Sequence, residues 1–244
     1  MKRNLKKTRL FINDSLGVGD EITLASMQSH YLISVMRLQD GDMISVFNGK
    51  DGQWQAELAS AHKKACQIKI HNCELPQEPT PKLSLLFSPI KSENAGYIVQ
   101  KATELGATAI FPTLTQRSIV RSVNQDKLRL SAIEAAEQCE RLDIPEVHPA
   151  ANLNQVLGAK EFTGNLILCD ETLQYSSTLS KLRSLPHDDN AILIGPEGGF
   201  SPEELALLHQ LPYVLPVSLG KRILRAETAI VAALSVYQAI AGDW

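Results

Sequence analysis

The chain changes texture at Gln77-Glu-Pro-Thr-Pro-Lys82, and this change constrains its fold more than any other feature. Pro76, Pro79 and Pro81 fix φ and remove backbone donors, so the segment suits neither a helix nor a sheet ladder. Before it, residues 21–24, Met43–Phe47, 54–58 and 65–70 alternate apolar with polar side chains, the period of half-buried strands. Turns fall at Gly41-Asp42 and Asn48-Gly49, and one helix is expected over 29–38. Residues 1–76 therefore read as a small β-barrel.

Beyond the prolines, strands and helices alternate. Leu83–Phe87 reads as a strand, and 93–105 as a helix with Ile98, Ala102 and Leu105 on one face and Gly106 as its stop. A strand at 109–111 follows, and Asn124 can cap a helix running to about residue 141. Short buried strands are expected at 166–168 and 192–194. Ser201-Pro-Glu-Glu204 has the form of a capping box with proline at the first helical position. Val214–Val217 is strand-like, and Ala226–Ala241 is the closing helix. Such alternation is the signature of a parallel sheet with crossover helices, so 77–244 reads as an α/β domain.

Charge and cysteine usage narrow the setting. A formal net charge of -3, from 24 Lys and Arg against 27 Asp and Glu, gives no global attraction for nucleic acid; any RNA-binding field must be local. Lys2, Arg3, Lys6, Lys7 and Arg9 place five basic groups within the first ten residues, and Arg117, Arg121, Lys127 and Arg129 form a looser group. A solvated tail and an exposed helix face give the same pattern. The 4 cysteines form no C-x-x-C pair and follow no secretory leader, which suggests the cytoplasm and reduced thiols. The 6 histidines form no ligand cluster, so no metal is expected. The apolar run 229–242 is too short for a bilayer and is broken by Ser235 and Gln238, so no membrane is expected either.

Two segments carry the chemistry: Leu193-Ile-Gly-Pro-Glu-Gly-Gly-Phe200 and Leu219-Gly-Lys-Arg-Ile-Leu-Arg-Ala-Glu-Thr228. Each runs from a strand through a glycine turn into a helix, which brings bare backbone and a helix N-terminus to a ligand. Only 19 residues separate Phe200 from Gly220, room for one helix and one strand, so both turns should open on the same sheet edge. The first resembles a phosphate loop, but no Lys-Ser/Thr follows it, and Glu197 stands where a middle glycine would be. A carboxylate there repels phosphate and suits hydroxyls, amines or a cation; a tight turn with no ligand also fits. In the second, Arg222 and Arg225 can contact RNA phosphates, polarise a base carbonyl or simply face solvent, while Glu227 suits the first turn of the last helix.

Together with His30-Tyr-Leu, Met36-Arg-Leu38, Gly41-Asp42, Gln100-Lys-Ala-Thr-Glu-Leu-Gly106, Arg117-Ser118, Glu137-Gln138, Arg141 and Pro145-Glu-Val147, these segments resemble the RsmE-type ribosomal-RNA uridine methyltransferases of the SPOUT superfamily. The match spans nearly the whole chain; Lys221 and Ala226 stand where the family often has proline and threonine.

The resemblance implies a PUA-like β-barrel over 1–76 and a SPOUT domain over 77–244 with a deep trefoil knot. It implies a homodimer that uses S-adenosylmethionine to methylate N3 of a uridine in 16S rRNA of the assembled small subunit. Cofactor contacts are then expected at Leu168, Asp170, Ile194, Gly195, Gly199, Leu219, Gly220, Ile223 and Leu224. Arg225 is expected as the cation beside a uracil carbonyl, with Glu197 and then Glu137 as proton acceptor or orienting group. Arg3, Lys6, Lys7, Arg9, Arg117 and Arg121 are expected on rRNA phosphates. A transfer-RNA methyltransferase of the same superfamily and a non-catalytic RNA-binding assembly factor are the competing readings.

Overall fold

The computed structural model describes residues 8–90, 92–173, 178–185 and 189–244. Two compact units emerge: residues up to Pro79 with Ala136–Ile144, and Thr80–Ala135 with Pro145–Trp244.

Among the described residues of the first unit, β1 (Arg9–Phe11), β2 (Glu21–Thr23), β3 (Met43–Phe47), β4 (Gln53–Ser60) and β5 (Gln67–Leu75) form one sheet in the order β1-β3-β4-β5-β2. β1 and β3 are parallel and the other pairs antiparallel. Register shifts along β4 and β5 bend the sheet, as bulges do. Ile44, Val46, Ala56, Leu58, Ile68 and Ile70 bury one face together with Leu32 and Leu38. The expected helix begins earlier, as α1 (Ser26–His30), and passes into a π-helical turn over Tyr31–Val35. β1 was not expected, because three consecutive buried residues show no period-two pattern.

Arg9 explains why Ala136–Ile144 groups with this sheet. Its Nε donates to Gln53 Oε1 at 2.7 Å. Nη1 donates to the carbonyls of Ala136 at 2.8 Å and Glu137 at 3.2 Å, and Nη2 to that of Arg141 at 2.7 Å. The guanidinium lies 4.5 Å over the Phe47 ring and is only 9% exposed. Burial lowers its pKa, while the charges of Glu140, Cys139 and Glu137 work the other way. Glu137 completes the joint by accepting the backbone N–H of Phe11 at 2.9 Å.

In the second unit the strands are β6 (Leu83–Phe87), β7 (Ala109–Leu114), β8 (Glu146–Val147), β9 (Ala151–Asn152), β10 (Leu166–Cys169), β11 (Asn190–Ile194) and β12 (Val214–Val217). Their order is β12-β10-β11-β6-β7-β8, with β9 also on β7, and each described pairing is parallel. The helices are α2 (Ser92–Glu104), α3 (Gln125–Cys139), α4 (Leu153–Ala159), α5 (Thr178–Arg183), α6 (Pro202–Gln210) and α7 (Ala226–Ala241). Asn124 Oδ1 accepts from Lys127 N, the cap foreseen for α3. β8, β9, α4 and α5 escaped the sequence because each is too short for a hydrophobic period to register. Burial on both faces suits the apolar runs of β6 and β11, with Leu83, Leu85 and Ile192 in one core and Leu86, Leu193 and Phe200 in another.

Removing the guanidinium orphans several carbonyls at once. Arg9→Met should lower unfolding free energy by about 2–4 kcal/mol, read by urea denaturation. Arg9→Lys should recover little of this, since an ammonium cannot reproduce the planar fork.

Candidate active site

Because β12, β10 and β11 are adjacent and parallel, their C-terminal ends reach one sheet edge, with Cys169 level with Ile194 on one side and Val217 on the other. Their following loops line a common cleft, together with Arg117, Leu205 of α6, and Ala226 and Ala229 of α7. The two glycine turns thus open on the same edge, one on each side of β10.

The loop after β10 is fixed by Asp170, which is 3% exposed. Its Oδ1 accepts from Thr172 N at 2.8 Å and Thr172 Oγ1 at 2.7 Å, and its Oδ2 pairs with His209 Nε2 at 3.0 Å. The next carboxylate, Glu171, lines the cleft with no partner among the described residues. Cys169 lines it too; burial pushes its thiol up to about 12, so it stays protonated and is a poor nucleophile.

The loop after β11 is shaped by its glycines. A Cβ at Gly195 would lie 2.8 Å from the Phe200 ring, and one at Gly199 2.7 Å from Glu171 Oε1. Gly199 also has φ +65°, a left-handed backbone. Arg117 Nη1 donates to Gly198 O at 2.8 Å. At the loop's end Ser201 Oγ accepts from Glu204 N and Glu204 Oε2 accepts from Ser201 N, the foreseen capping box of α6. Glu204 Oε1 additionally accepts from Gln116 N at 2.8 Å. Helix α6 is therefore tied at its start to the Arg117 turn and near its end, through His209, to the Asp170 loop.

The loop after β12 turns at Gly220, whose φ of +111° excludes an ordinary side chain. Lys221, Arg222 and Ile223 are exposed there, Ile223 at 86%. Arg225 is the N-cap residue of α7, exposed, between Leu224 and Ala226, which both line the cleft. The cleft combines a buried apolar part, from Ile194, Phe200 and Ala226, with an exposed rim carrying charge of both signs. Such a lining can hold a flat apolar group beside a cationic centre.

Of the residues expected on the cofactor, Asp170, Ile194, Gly195, Gly199, Leu219, Gly220, Ile223 and Leu224 line the cleft. Leu168 does not; it sits one residue inside β10, fully buried in an apolar cluster. Glu197 lines the cleft, exposed. Glu137 requires a correction: its carboxylate is engaged by Phe11 N–H in the first unit, and it is not among the lining residues. Arg9 is corrected likewise, since its donors hold backbone carbonyls rather than facing solvent. Arg121 is exposed, with Nη1 and Nη2 donating to Thr115 O and Gln116 O. Arg117 lies at the cleft itself. Arg3, Lys6 and Lys7 lie outside the described residues. Glu171 and His209 were missed: one lies just past an apolar strand, the other on an exposed helix face, and neither has a local signal.

Comparison with known proteins agrees with this geometry. Residues 76–238 match the family of RNA methyltransferase domains, and 28–70 match RNA methyltransferase PUA domains. The ribosomal RNA small subunit methyltransferase E of Rickettsia conorii is 35% identical over 95% of this chain and 95% of its own. That of Synechocystis sp. is 36% identical over 90% of this chain and 73% of its own. A Legionella pneumophila protein solved with bound cofactor SAM superimposes with TM-score 0.85 at 31% identity, over 96% of this chain and 98% of the other. The ribosomal RNA small subunit methyltransferase E of Neisseria gonorrhoeae, bound to S-adenosyl methionine, gives 0.83 at 28%, over 98% and 99%. Fold and cleft together are those of an RNA methyltransferase with a PUA-type N-terminal sheet. Within that class, the chain belongs to the ribosomal RNA small subunit methyltransferase E family.

Glu204 serves two backbone donors from a buried position. Glu204→Ala should therefore cost about 2–4 kcal/mol in urea unfolding, and Glu204→Gln, which keeps one acceptor, roughly half as much.

Proposed function

We propose that this protein transfers the methyl group of S-adenosylmethionine to N3 of one uridine in the 16S rRNA of the assembled small ribosomal subunit. The observation that carries this reading is the three-loop cleft, with its apolar interior and two carboxylates without a partner among the described residues, in a chain of this family. Two relatives of the same fold were solved with that cofactor. The cleft suits it: glycine at 195 and 199 lets the loop pack against the Phe200 ring and Glu171, where a Cβ would clash, and Glu197 and Glu171 place negative charge in the lining beside which a sulfonium is favoured. Once bound, the cofactor supplies an electrophilic methyl group.

The remaining chemistry falls to the chain. N3 of uracil must lose a proton to become nucleophilic, leaving negative charge on the flanking carbonyl oxygens. Arg225, exposed beside the cleft with no partner among the described residues, is the cation for that charge. Glu197 takes the proton or orients the imide. The Asp170 carboxylate accepts from Thr172 and so holds the first loop in shape, and His209 holds Asp170. Positioning the splayed base against the methyl group supplies much of the rate. Arg117 at the cleft, and Arg121 bonded to the carbonyls of Thr115 and Gln116 beside it in the chain, are the contacts for RNA. The same reading carries a cytoplasmic homodimer and a deep knot through the β10, β11 and β12 segments; the insertion of β10 between two later strands is consistent with such threading.

Incubation with methyl-labelled S-adenosylmethionine and small subunits lacking native modification, followed by nucleoside mass spectrometry, should give N3-methyluridine at one site and none on naked rRNA. Label appearing on transfer RNA, or cofactor binding with no transfer to any RNA, would overturn the assignment. Arg225→Ala should lower kcat at least about 100-fold while the cofactor Kd moves less than about threefold. His209→Ala should act oppositely, weakening cofactor binding by about tenfold in calorimetry because a buried carboxylate loses its partner.

A further inference from the structure

His30-Tyr-Leu and Met36-Arg-Leu38 belong to the first unit, and the chemistry of the cleft leaves them without a role. Their backbone is unusual. After α1, Met36 N bonds to Tyr31 O at 2.9 Å and Leu38 N to Leu32 O at 3.0 Å, closing a widened turn that buries Leu32 and Leu38. The residue between those two donors must adopt a left-handed conformation, a position where glycine is usual. Here it is Arg37, at φ +58°.

Among the described residues, Glu140, Lys160 and Asp189 are the other non-glycine residues with positive φ. Each of these has an internal use for its side chain. Glu140 sets its charge near the Arg9 guanidinium. Lys160 Nζ lies 4.6 Å over the Tyr213 ring. Asp189 Oδ2 accepts from Thr163 N at 2.6 Å. Arg37 alone of the four has an exposed side chain without a partner among the described residues, so none of these residues accounts for the strained choice over glycine.

We infer that Arg37 is a phosphate contact for ribosomal RNA, a reading that rests on the RNA-methyltransferase function proposed above. An unpaired, always-charged guanidinium held on a stiff turn suits bidentate capture of a phosphate. Exposed Met27 and Val35, at 74% and 60%, flank it along the same segment with His30 and offer apolar surface to ribose or base. The carboxylates next in sequence are held on backbone donors and not on the guanidinium: Asp42 Oδ2 accepts from Gln39 N and Asp40 Oδ1 from Ala61 N. With Arg9 engaged in backbone carbonyls, Arg37 takes over the contact role that the sequence suggested for that residue.

The test is Arg37→Gly, which removes charge and strain together. Its thermal midpoint should equal or exceed that of the wild type and cofactor affinity should be unchanged. Affinity for small subunits and for 16S rRNA should fall about 3–10-fold, with the slope of log K against log salt shallower by about one contact. Arg37→Lys should retain most of the salt slope. Unchanged RNA affinity and slope in Arg37→Gly would overturn the inference. So would a loss seen with subunits but not with rRNA, which would assign the residue to a ribosomal protein. Absence of RNA binding or methylation by the wild type would instead remove the underlying function, and the inference with it.

Discussion

Parallel pairing of β10 with both β11 and β12 is the constraint on which the site depends. Parallel strands end at the same edge, so three loops distant in the chain converge without any of them carrying a long-range signal. Residues 169–172, 194–200 and 218–224 then share one cleft. Each loop is short and stiffened locally, by the Asp170 turn, by the glycines of 195–199 and by the left-handed Gly220. Convergence comes from topology and precision from local hydrogen bonding.

Helix α6 links these layers. Ser201 and Glu204 cap its start, and the same Glu204 carboxylate receives Gln116 N from the Arg117 turn. Eight residues after Ser201, His209 reaches the buried Asp170. The loop after β11 cannot shift without disturbing the loop after β10. A cleft that is to bind a cationic cofactor gains from this arrangement, because buried Asp170 is already satisfied while Glu171 and Glu197 remain available.

Two arginines of the first unit show how little residue type says about role. Arg9 sits in a basic cluster that reads as an RNA-binding tail, yet its guanidinium organises backbone carbonyls of Ala136, Glu137 and Arg141. Arg37 belongs to a motif that the sequence ties to no role, yet its backbone conformation and its side chain, exposed without a partner among the described residues, set it apart. The difference is burial: desolvated donors must find acceptors nearby, whereas exposed ones are free to face a ligand.

By itself the sequence determined the α/β alternation after the prolines, the strands of the first sheet other than β1, the Asn124 and Ser201 caps and the two glycine turns, because each rests on periodicity or on contacts within four residues. Most of the positions that line the cleft were also legible, since the bare-backbone turns that form it announce themselves in Gly195-Pro-Glu-Gly-Gly199 and Leu219-Gly220. Tertiary structure alone decided that β10 lies between β11 and β12, that Glu171 lines the cleft and His209 braces Asp170, that Leu168 stays in the core, and that Glu137 and Arg9 hold backbone groups of the first unit. The short elements β8, β9, α4 and α5 were decided there as well. For the pairings and site contacts the deciding interaction spans tens of residues and leaves no trace in local spacing, while the short elements are too brief for a hydrophobic period to register.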